Sequence, residues 1–491
     1  MKLNEKIVFV MVTVLSLFFV LITNVVIKTV NPPEELINVV KEEKKEEEKK
    51  RQAKILRGTI YDREGNKLAY SELTDDENVL NASQKRIYPY GELFAHTVGY
   101  YRGDYAGGSK MIENRFNDRL LEINAEDLET VNRIDNNEIV DGASLDLTLD
   151  LGMTERAEEL FEQMAKRRGK SLENFIGSAV VMNPTTGEIY CMYSNPSFDP
   201  NPEALSKNWN IYQNDNERSP FVSRVTGSKK IPGSVFKILT ALAAVENGEH
   251  MLEIEDEGET IIGGTRVVND GVKAHGTVDM KKAIKVSSNV YFATLSQKIG
   301  KKKFLEMAEK FYINKELVLD IPIEDASIKV DMDAGALAAA AYGQGTVQVT
   351  PLHMAMVASA VANDGILMKP YLVDKVTLAS GEDSFVAEPE KLSVVTRKSL
   401  RSIVDGMVQC VNGGTGTAAA VSGLKIAGKT GTAQVTGDSA HTWFIGFAPA
   451  DNPQIALCVM GENTGGGGGS VCGPIAKGLF EYCLDNGFID N

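Results

Sequence analysis

A chain of 491 residues is too long for one ordinary core, and 43% hydrophobic with 24% charged residues is a globular make-up. One large domain with smaller parts is expected. A net charge of -15 and a pI near 5.0 exclude the basic face that nucleic-acid binding needs.

Taken in chain order, Ile7 to Ile27 is apolar apart from Thr13, Ser16, Thr23 and Asn24, and as a helix it spans roughly 31 Å. That matches a bilayer core of about 30 Å. A signal peptide usually has a shorter apolar stretch, and Ile27-Lys28-Thr29-Val30-Asn31-Pro32 is a poor cleavage site, so residues 7–30 are predicted to be a retained anchor. Lys2, Lys6 and the terminal amine flank one side and only Lys28 lies close on the other. This places residues 1–6 in the cytoplasm and the rest of the chain outside it, as a single-pass protein of the cell membrane. Residues 31–54 begin with Pro32-Pro33 and hold the charge run KEEKKEEEKKRQAK, a solvated stalk.

Residues 55–145 are mixed, with short strands and with turns at Glu64-Gly65-Asn66 and Gly107-Gly108, the pattern of a small non-catalytic module. Residues 146–491 form the large domain. A helix is predicted from Met153 to Lys166, then a hairpin from Ile176 to Ser194 turning at Pro184-Thr185-Thr186-Gly187. A long helical region covers 234 to 365. Strands return at Leu424 to Val435, Thr442 to Ala448 and Gln454 to Gly461, with a closing helix near Pro474 to Leu484. Strands first, helices in the middle and strands last imply an α+β fold whose antiparallel sheet is completed by both ends of the domain, with helices packed on it. Gly465 to Gly469 reads as a flexible loop between the last strand and the last helix.

The five cysteines, Cys191, Cys410, Cys458, Cys472 and Cys483, are odd in number and widely spaced, which yields no disulfide framework and no metal pattern. Cys191 and Cys458 lie in apolar strand-like runs and read as small buried hydrophobes. His96, His250, His275, His353 and His441 are scattered singly, so neither metal nor cofactor is expected.

Three strings carry the chemistry: Ser234-Val235-Phe236-Lys237, Ser287-Ser288-Asn289 and Lys429-Thr430-Gly431-Thr432. Pro232-Gly233 precedes Ser234, and Val235 to Val245 is a helix ending near Gly248. Ser234 thus sits at a helix N-terminus, where free N–H groups favour developing negative charge. Lys237, three residues on, lies on the same side of the helix within reach of the hydroxyl. Ser422-Gly423-Leu424-Lys425 has the same spelling in a strand pattern, where the two side chains point to opposite faces. A serine needs a base, and lysine serves only if burial and nearby positive charge lower its proton affinity. Lys429 is the candidate neighbour. Ser287 is placed to relay a proton and Asn289 to hold Lys237 and a substrate amide, against the plainer reading of a polar turn or helix cap. Lys429 and Thr430, with Gly431 and Thr432, line the substrate, and the backbone N–H groups of Thr432 and Ser234 form an oxyanion hole. Gly423 to Thr430 also matches the phosphate-loop pattern, but its middle is strand-like and no helix opens after it.

The three strings in this order resemble the class B penicillin-binding proteins, and the resemblance covers nearly the whole chain. Arg57-Gly58-Thr59-Ile60-Tyr61-Asp62-Arg63-Glu64-Gly65 is similar to the signature that opens their N-terminal module. Asn183-Pro184-Thr185-Thr186-Gly187-Glu188-Ile189 resembles their first catalytic hairpin. Tyr342-Gly343-Gln344-Gly345, Thr350-Pro351-Leu352 and Trp443-Phe444-Ile445-Gly446-Phe447-Ala448-Pro449 resemble later segments. The resemblance implies a β-lactamase/transpeptidase-like fold with helices on both sheet faces, and a D,D-transpeptidase. Ser234 would attack the D-Ala-D-Ala end of a peptidoglycan stem peptide, and β-lactams would acylate it. It also implies a pedestal or dimerisation-like role for 55–145 and a SEDS-type glycan polymerase as partner. Thr154, where the family usually has Gln, and Val471-Cys472-Gly473-Pro474 depart from the pattern without touching the chemistry. A D,D-carboxypeptidase, a β-lactamase or penicillin sensor on the same fold, and a non-catalytic scaffold are the rival readings.

Overall fold

The computed structural model describes residues 3–30, 38–39, 42–43, 54–73, 84–101, 110–121, 132–133, 136, 138–434 and 439–490. The stalk expected at 31–54, the loop at Gly107-Gly108 and Val435 fall almost entirely outside these residues. Two compact units are distinguished.

The first unit holds the helix Leu3–Val30 and a two-residue parallel pair, Ile55–Leu56 with Val140–Asp141. The helix is long and apolar enough to cross a membrane, and its side chains are exposed. Its polar residues do not interrupt it. The hydroxyls of Thr13, Ser16 and Thr23 donate to the carbonyls of Phe9, Val12 and Phe19 at 2.8, 2.8 and 2.7 Å, so they bring no unmet hydrogen-bonding group into an apolar medium.

The second unit is built on a five-stranded antiparallel sheet in the order Ala427–Ala433, His441–Ala448, Ile455–Gly461, Gly177–Met182, Ile189–Asn195. The two N-terminal strands form the far edge and the last three complete the sheet, as the order of strand patterns predicts. Side chains alternate between two cores. Leu457 and Val459 face the helices Leu151–Arg167 and Gly468–Asp485, in a cluster with Phe161, Phe444 and Phe480. Cys458 and Met460 face the other side, with Ile445, Met354 and the helix Lys237–Asn247. Because both faces are covered, the three inner strands are apolar at most positions. Cys191 and Cys458 lie fully buried within them.

The middle of the chain departs from the long helical region expected over 234–365. Short antiparallel pairs interrupt it, Ile254–Asp256 with Gly276–Val278 and Glu259–Ile262 with Thr265–Val268. These strands are three or four residues long and largely exposed, too brief for an alternating pattern to stand out. The glycine run is also corrected. Only Gly465 to Gly467 are loop, because the last helix opens at Gly468, where Gly467 N donates to Ser470 Oγ at 3.3 Å.

A six-stranded sheet has the order Asp383–Val386, Val373–Thr377, Ser144–Leu147, Ile60–Tyr61, Lys67–Leu73, Gln84–Ile87. Ser144–Leu147 straddles the boundary expected at 145/146, and two later strands finish the sheet. The signature around Arg57 is structural. Glu113 accepts from Arg57 Nε and Arg86 Nε, each at 2.7 Å, and all three residues are buried. Asp62 closes its turn by accepting from Asn66 N at 2.7 Å and receives Leu151 N, at the start of the next helix, at 3.1 Å.

Candidate active site

Ser234 lies in a single 3-10 turn, Gly233–Phe236, that runs directly into the helix Lys237–Asn247, which Gly248 ends in the left-handed conformation. The turn is held from behind by backbone. Gly233 has φ 59, its N–H donates to Gly343 O at 2.9 Å, and a side chain on Gly343 would sit 2.1 Å from Gly233 O. The Tyr342-Gly343-Gln344-Gly345 segment is therefore the support of the serine turn. On its other side, a side chain on Gly233 would meet Thr432 O at 2.7 Å, so the turn lies directly against the edge strand Ala427–Ala433. Ser234 is half-buried, and being second in the turn its N–H precedes any intrahelical partner.

Lys237 is fully buried. Its Nζ donates to Asn289 Oδ1 at 2.7 Å, Ser287 O at 2.7 Å and Ser287 Oγ at 3.1 Å. Lys429, also fully buried, donates to the same Ser287 Oγ at 2.9 Å and to Thr430 O at 2.8 Å. One hydroxyl thus joins two lysines that lie 50 and 142 positions away from it in the chain. Burial, and then the charge of Lys429, push Lys237 well below the ordinary lysine value, with Asp256 opposing. Burial pushes Lys429 down to about 8.

Ser287 is positioned between two helices, Met280–Val286 and Asn289–Ile299, in the left-handed conformation at φ 61. A non-glycine residue pays roughly 1 kcal/mol for that geometry, and it is what aims the hydroxyl between the lysines. Ser288 caps the second helix, its Oγ accepting from Tyr291 N at 2.9 Å. The string is therefore at once the helix cap of the plainer reading and a partner of both lysines.

Lys429-Thr430-Gly431-Thr432 lies entirely in the edge strand, and the next element among the described residues is the strand His441–Ala448 where a phosphate loop would open a helix, which removes that alternative. Thr430 Oγ1 shares a 2.6 Å bond with Thr415 Oγ1. Gly431 lies against Pro232, where a side chain would meet its carbonyl at 2.8 Å, and Thr432 is exposed, its Oγ1 accepting from Gly468 N at 3.2 Å. The strand begins at Ala427, later than the expected Leu424. Ser422 consequently sits in a tight turn between Val421 and Leu424, and Lys425 is on the surface, paired with Asp451 at 2.8 Å.

The sequence reading missed Asp256, Asn269, Thr415 and Gly468. None stands in a motif, and only folding brings them to the site.

A helix-start serine followed three residues on by one of two buried lysines whose proton affinity burial lowers, set against the edge strand of the sheet, defines a lysine-assisted serine acyl-transfer site. The chain belongs to the penicillin-binding protein transpeptidase family: the model of the penicillin binding protein transpeptidase domain matches residues 177–481, and that of the penicillin binding protein A dimerisation domain matches 57–138. The chain is 27% identical over 449 residues to the peptidoglycan D,D-transpeptidase PbpA of Mycolicibacterium smegmatis, covering 86% of this chain and 88% of that protein. It is 29% identical over 453 residues to the PbpA of Mycobacterium tuberculosis, covering 86% and 87%. Among solved structures it resembles the imipenem acyl-enzyme of M. tuberculosis penicillin-binding protein A, with TM-score 0.78, 26% identity, and coverage of 88% of this chain and 99% of that one. The D,D-transpeptidase domain of a peptidoglycan glycosyltransferase from Eggerthella lenta matches with TM-score 0.72, 32% identity and coverage of 89% and 99%.

Proposed function

We propose that this protein is a membrane-anchored serine D,D-transpeptidase that cross-links peptidoglycan stem peptides through an acyl-enzyme on Ser234 and is inhibited by β-lactams. The observation that carries this reading is the hydroxyl of Ser287 shared by Lys429 and by Lys237, the residue that follows the serine turn. Relatives named peptidoglycan D,D-transpeptidases, and a neighbour captured as acyl-enzymes with imipenem and with penicillin G, support it.

In acylation, neutral Lys237 takes the Ser234 proton while Ser234 Oγ bonds to the carbonyl carbon of the penultimate D-Ala. The N–H groups of Ser234 and Thr432 receive the oxyanion. The peptide C–N bond then breaks, and the departing D-Ala nitrogen takes a proton through Ser287, which touches both lysines. Lys429, Thr430, Gly431 and Thr432 align the substrate, its terminal carboxylate held by Lys429 and Thr430 and its backbone along the edge strand. An amine from a neighbouring stem attacks the ester, the C–O bond breaks, and Ser234 regains its proton. A β-lactam follows the first half, its ring C–N bond opening on Ser234. Asn289 holds Lys237 and the substrate amide.

The helix Leu3–Val30 is the anchor in this reading, and the lysine count, Lys2 and Lys6 against Lys28, supports an N-terminus in the cytoplasm with the catalytic unit outside it. Residues 55–145 serve as a non-catalytic pedestal, and a SEDS-type glycan polymerase is the partner that supplies uncross-linked strands. The test is labelling with a fluorescent penicillin: the wild type labels and a folded Ser234→Ala variant does not. Labelling that persists in Ser234→Ala rejects the proposal.

A further inference from the structure

We propose that Asp256 is a positioning residue for the lysine base: its buried carboxylate fixes the Ser287-Ser288-Asn289 corner and balances the charge of Lys237. The inference rests on the transpeptidase reading above.

Asp256 ends the strand Ile254–Asp256 and is fully buried. A carboxylate in such a place must be compensated. Its Oδ2 accepts from Ser288 Oγ at 2.6 Å and from Asn269 Nδ2 at 2.9 Å, and its Oδ1 accepts from Asn269 Nδ2 at 2.8 Å and from Gly258 N at 2.9 Å. Two of these partners, Asn269 and Ser288, bond in turn to the start of the helix that carries Asn289. With Nδ2 committed to the carboxylate, Asn269 turns Oδ1 towards the start of the next helix, where it accepts from Asn289 N at 2.7 Å and Val290 N at 3.2 Å. With its proton committed, Ser288 offers lone pairs to Tyr291 N. Asn289 is thereby held by its backbone, and Nδ2 donates to Val268 O at 2.7 Å, which leaves Oδ1 facing Lys237 Nζ. The path from Asp256 to the base is a chain of hydrogen bonds with every member satisfied, the condition under which a buried polar network rigidifies its surroundings.

The carboxylate has a second effect. The groups that act on Lys237 are Lys429 from the edge strand, which lowers its proton affinity, and Asp256, which raises it. Cys410 from the helix Arg401–Gly413 acts on Lys429, and His275, whose N–H donates to Asp256 O at 2.8 Å, feels the charges of Asp256, Lys273, Lys282 and Lys237. Without Asp256, Lys237 would face only positive neighbours and burial. A base too weak to take the serine proton is as unproductive as one that never releases its own.

The acylation rate with a fluorescent penicillin, measured from about pH 5 to 9 on the full chain in detergent, tests this. Asp256→Asn keeps the shape and removes the charge. It is expected to lower the plateau rate about 10-fold or more and to move the acid limb, which reports neutral Lys237, down by about one pH unit. Ser288→Ala breaks the 2.6 Å bond and keeps the charge; it is expected to lower the plateau without moving the limb. A purely structural role would lower the melting temperature in both variants and leave the limb in place. An Asp256→Asn profile with the wild-type midpoint overturns the charge role, and wild-type rates in Ser288→Ala overturn the positioning role, which also decides the matter if Asp256→Asn does not fold. Loss of labelling in the wild type itself would instead reject the transpeptidase reading.

Discussion

Replacing Lys429 by Met separates folding from chemistry. Lys429 is fully buried, and burial takes it from the ordinary 10.5 down to about 8. The folded chain therefore binds that proton less well than the unfolded chain, and at pH 7 the charged side chain costs the fold about 3 kcal/mol. Methionine fills a similar volume without a charge, which removes the cost. Against this, Ser287 Oγ and Thr430 O each lose a donor, at about 1 kcal/mol apiece. The balance is a gain of about 1 kcal/mol at pH 7. The sign with pH follows from the depressed value: between about pH 8 and 10.5 the unfolded chain holds more protons, so wild-type stability rises across that window and the variant lacks the rise. Chemistry runs the other way. Lys237 loses the positive neighbour that helps to deprotonate it, Ser287 loses a partner, and the substrate loses a cation, so acylation is expected to fall about 100- to 1000-fold. Melting of the full chain in detergent at pH 7 and 9.5, with penicillin acylation in parallel, reads both effects. A variant that melts well below wild type at pH 7 while acylating at more than about a tenth of its rate refutes the reasoning.

Gly468→Ala puts a methyl 2.3 Å from Gly431 O and 2.4 Å from Trp443 O, so it is expected to cost about 2 kcal/mol or more and to slow acylation by pushing the Lys-Thr-Gly strand from the serine turn, both read from melting and labelling. Glu113→Gln leaves the Arg57 and Arg86 guanidinium groups without their buried counter-charge, and a loss of about 3–5 kcal/mol is expected in denaturant unfolding. Burial alone would raise the Glu113 carboxyl, but the charges of Arg86 and Arg57 outweigh it and hold it below the ordinary 4.5. The pairing is therefore fully present above pH 4.5 and is lost as pH falls through the lower folded value, so the wild type should lose melting temperature on acidification by a component that Glu113→Gln lacks.

Local physics made much of the site legible. A small-residue turn before an amphipathic helix located Ser234, and i to i+3 spacing placed Lys237 beside it. An apolar strand pattern identified the Lys429 string as a strand. Ser422 stands in a turn and not on the strand that its surroundings predict, because Val421 to Leu424 folds back on itself before the strand opens at Ala427. The exposed pair Glu259–Ile262 with Thr265–Val268 and the strands from 366 to 394 escaped, since short strands with half-exposed faces leave no clear period. Gly468 read as part of a loop because a glycine run has low helix propensity, whereas the close approach of Gly431 and Trp443 leaves no room there for any other residue.

The apolar N-terminal helix, the serine at a helix start, the order of the main strands and helices around it, and the three strings that align this chain with its family are all written in the sequence. Tertiary structure alone decided that Lys237 and Lys429 share one hydroxyl, that burial lowers both, that Asp256 and Asn269 stand behind Asn289, and that strands at 373–386 complete the sheet begun at Ile60. The division has a physical reason. Periodicity, capping and turn chemistry act over a few residues and are written locally, whereas desolvation and charge coupling depend on which distant segments fold to exclude water from the same few atoms.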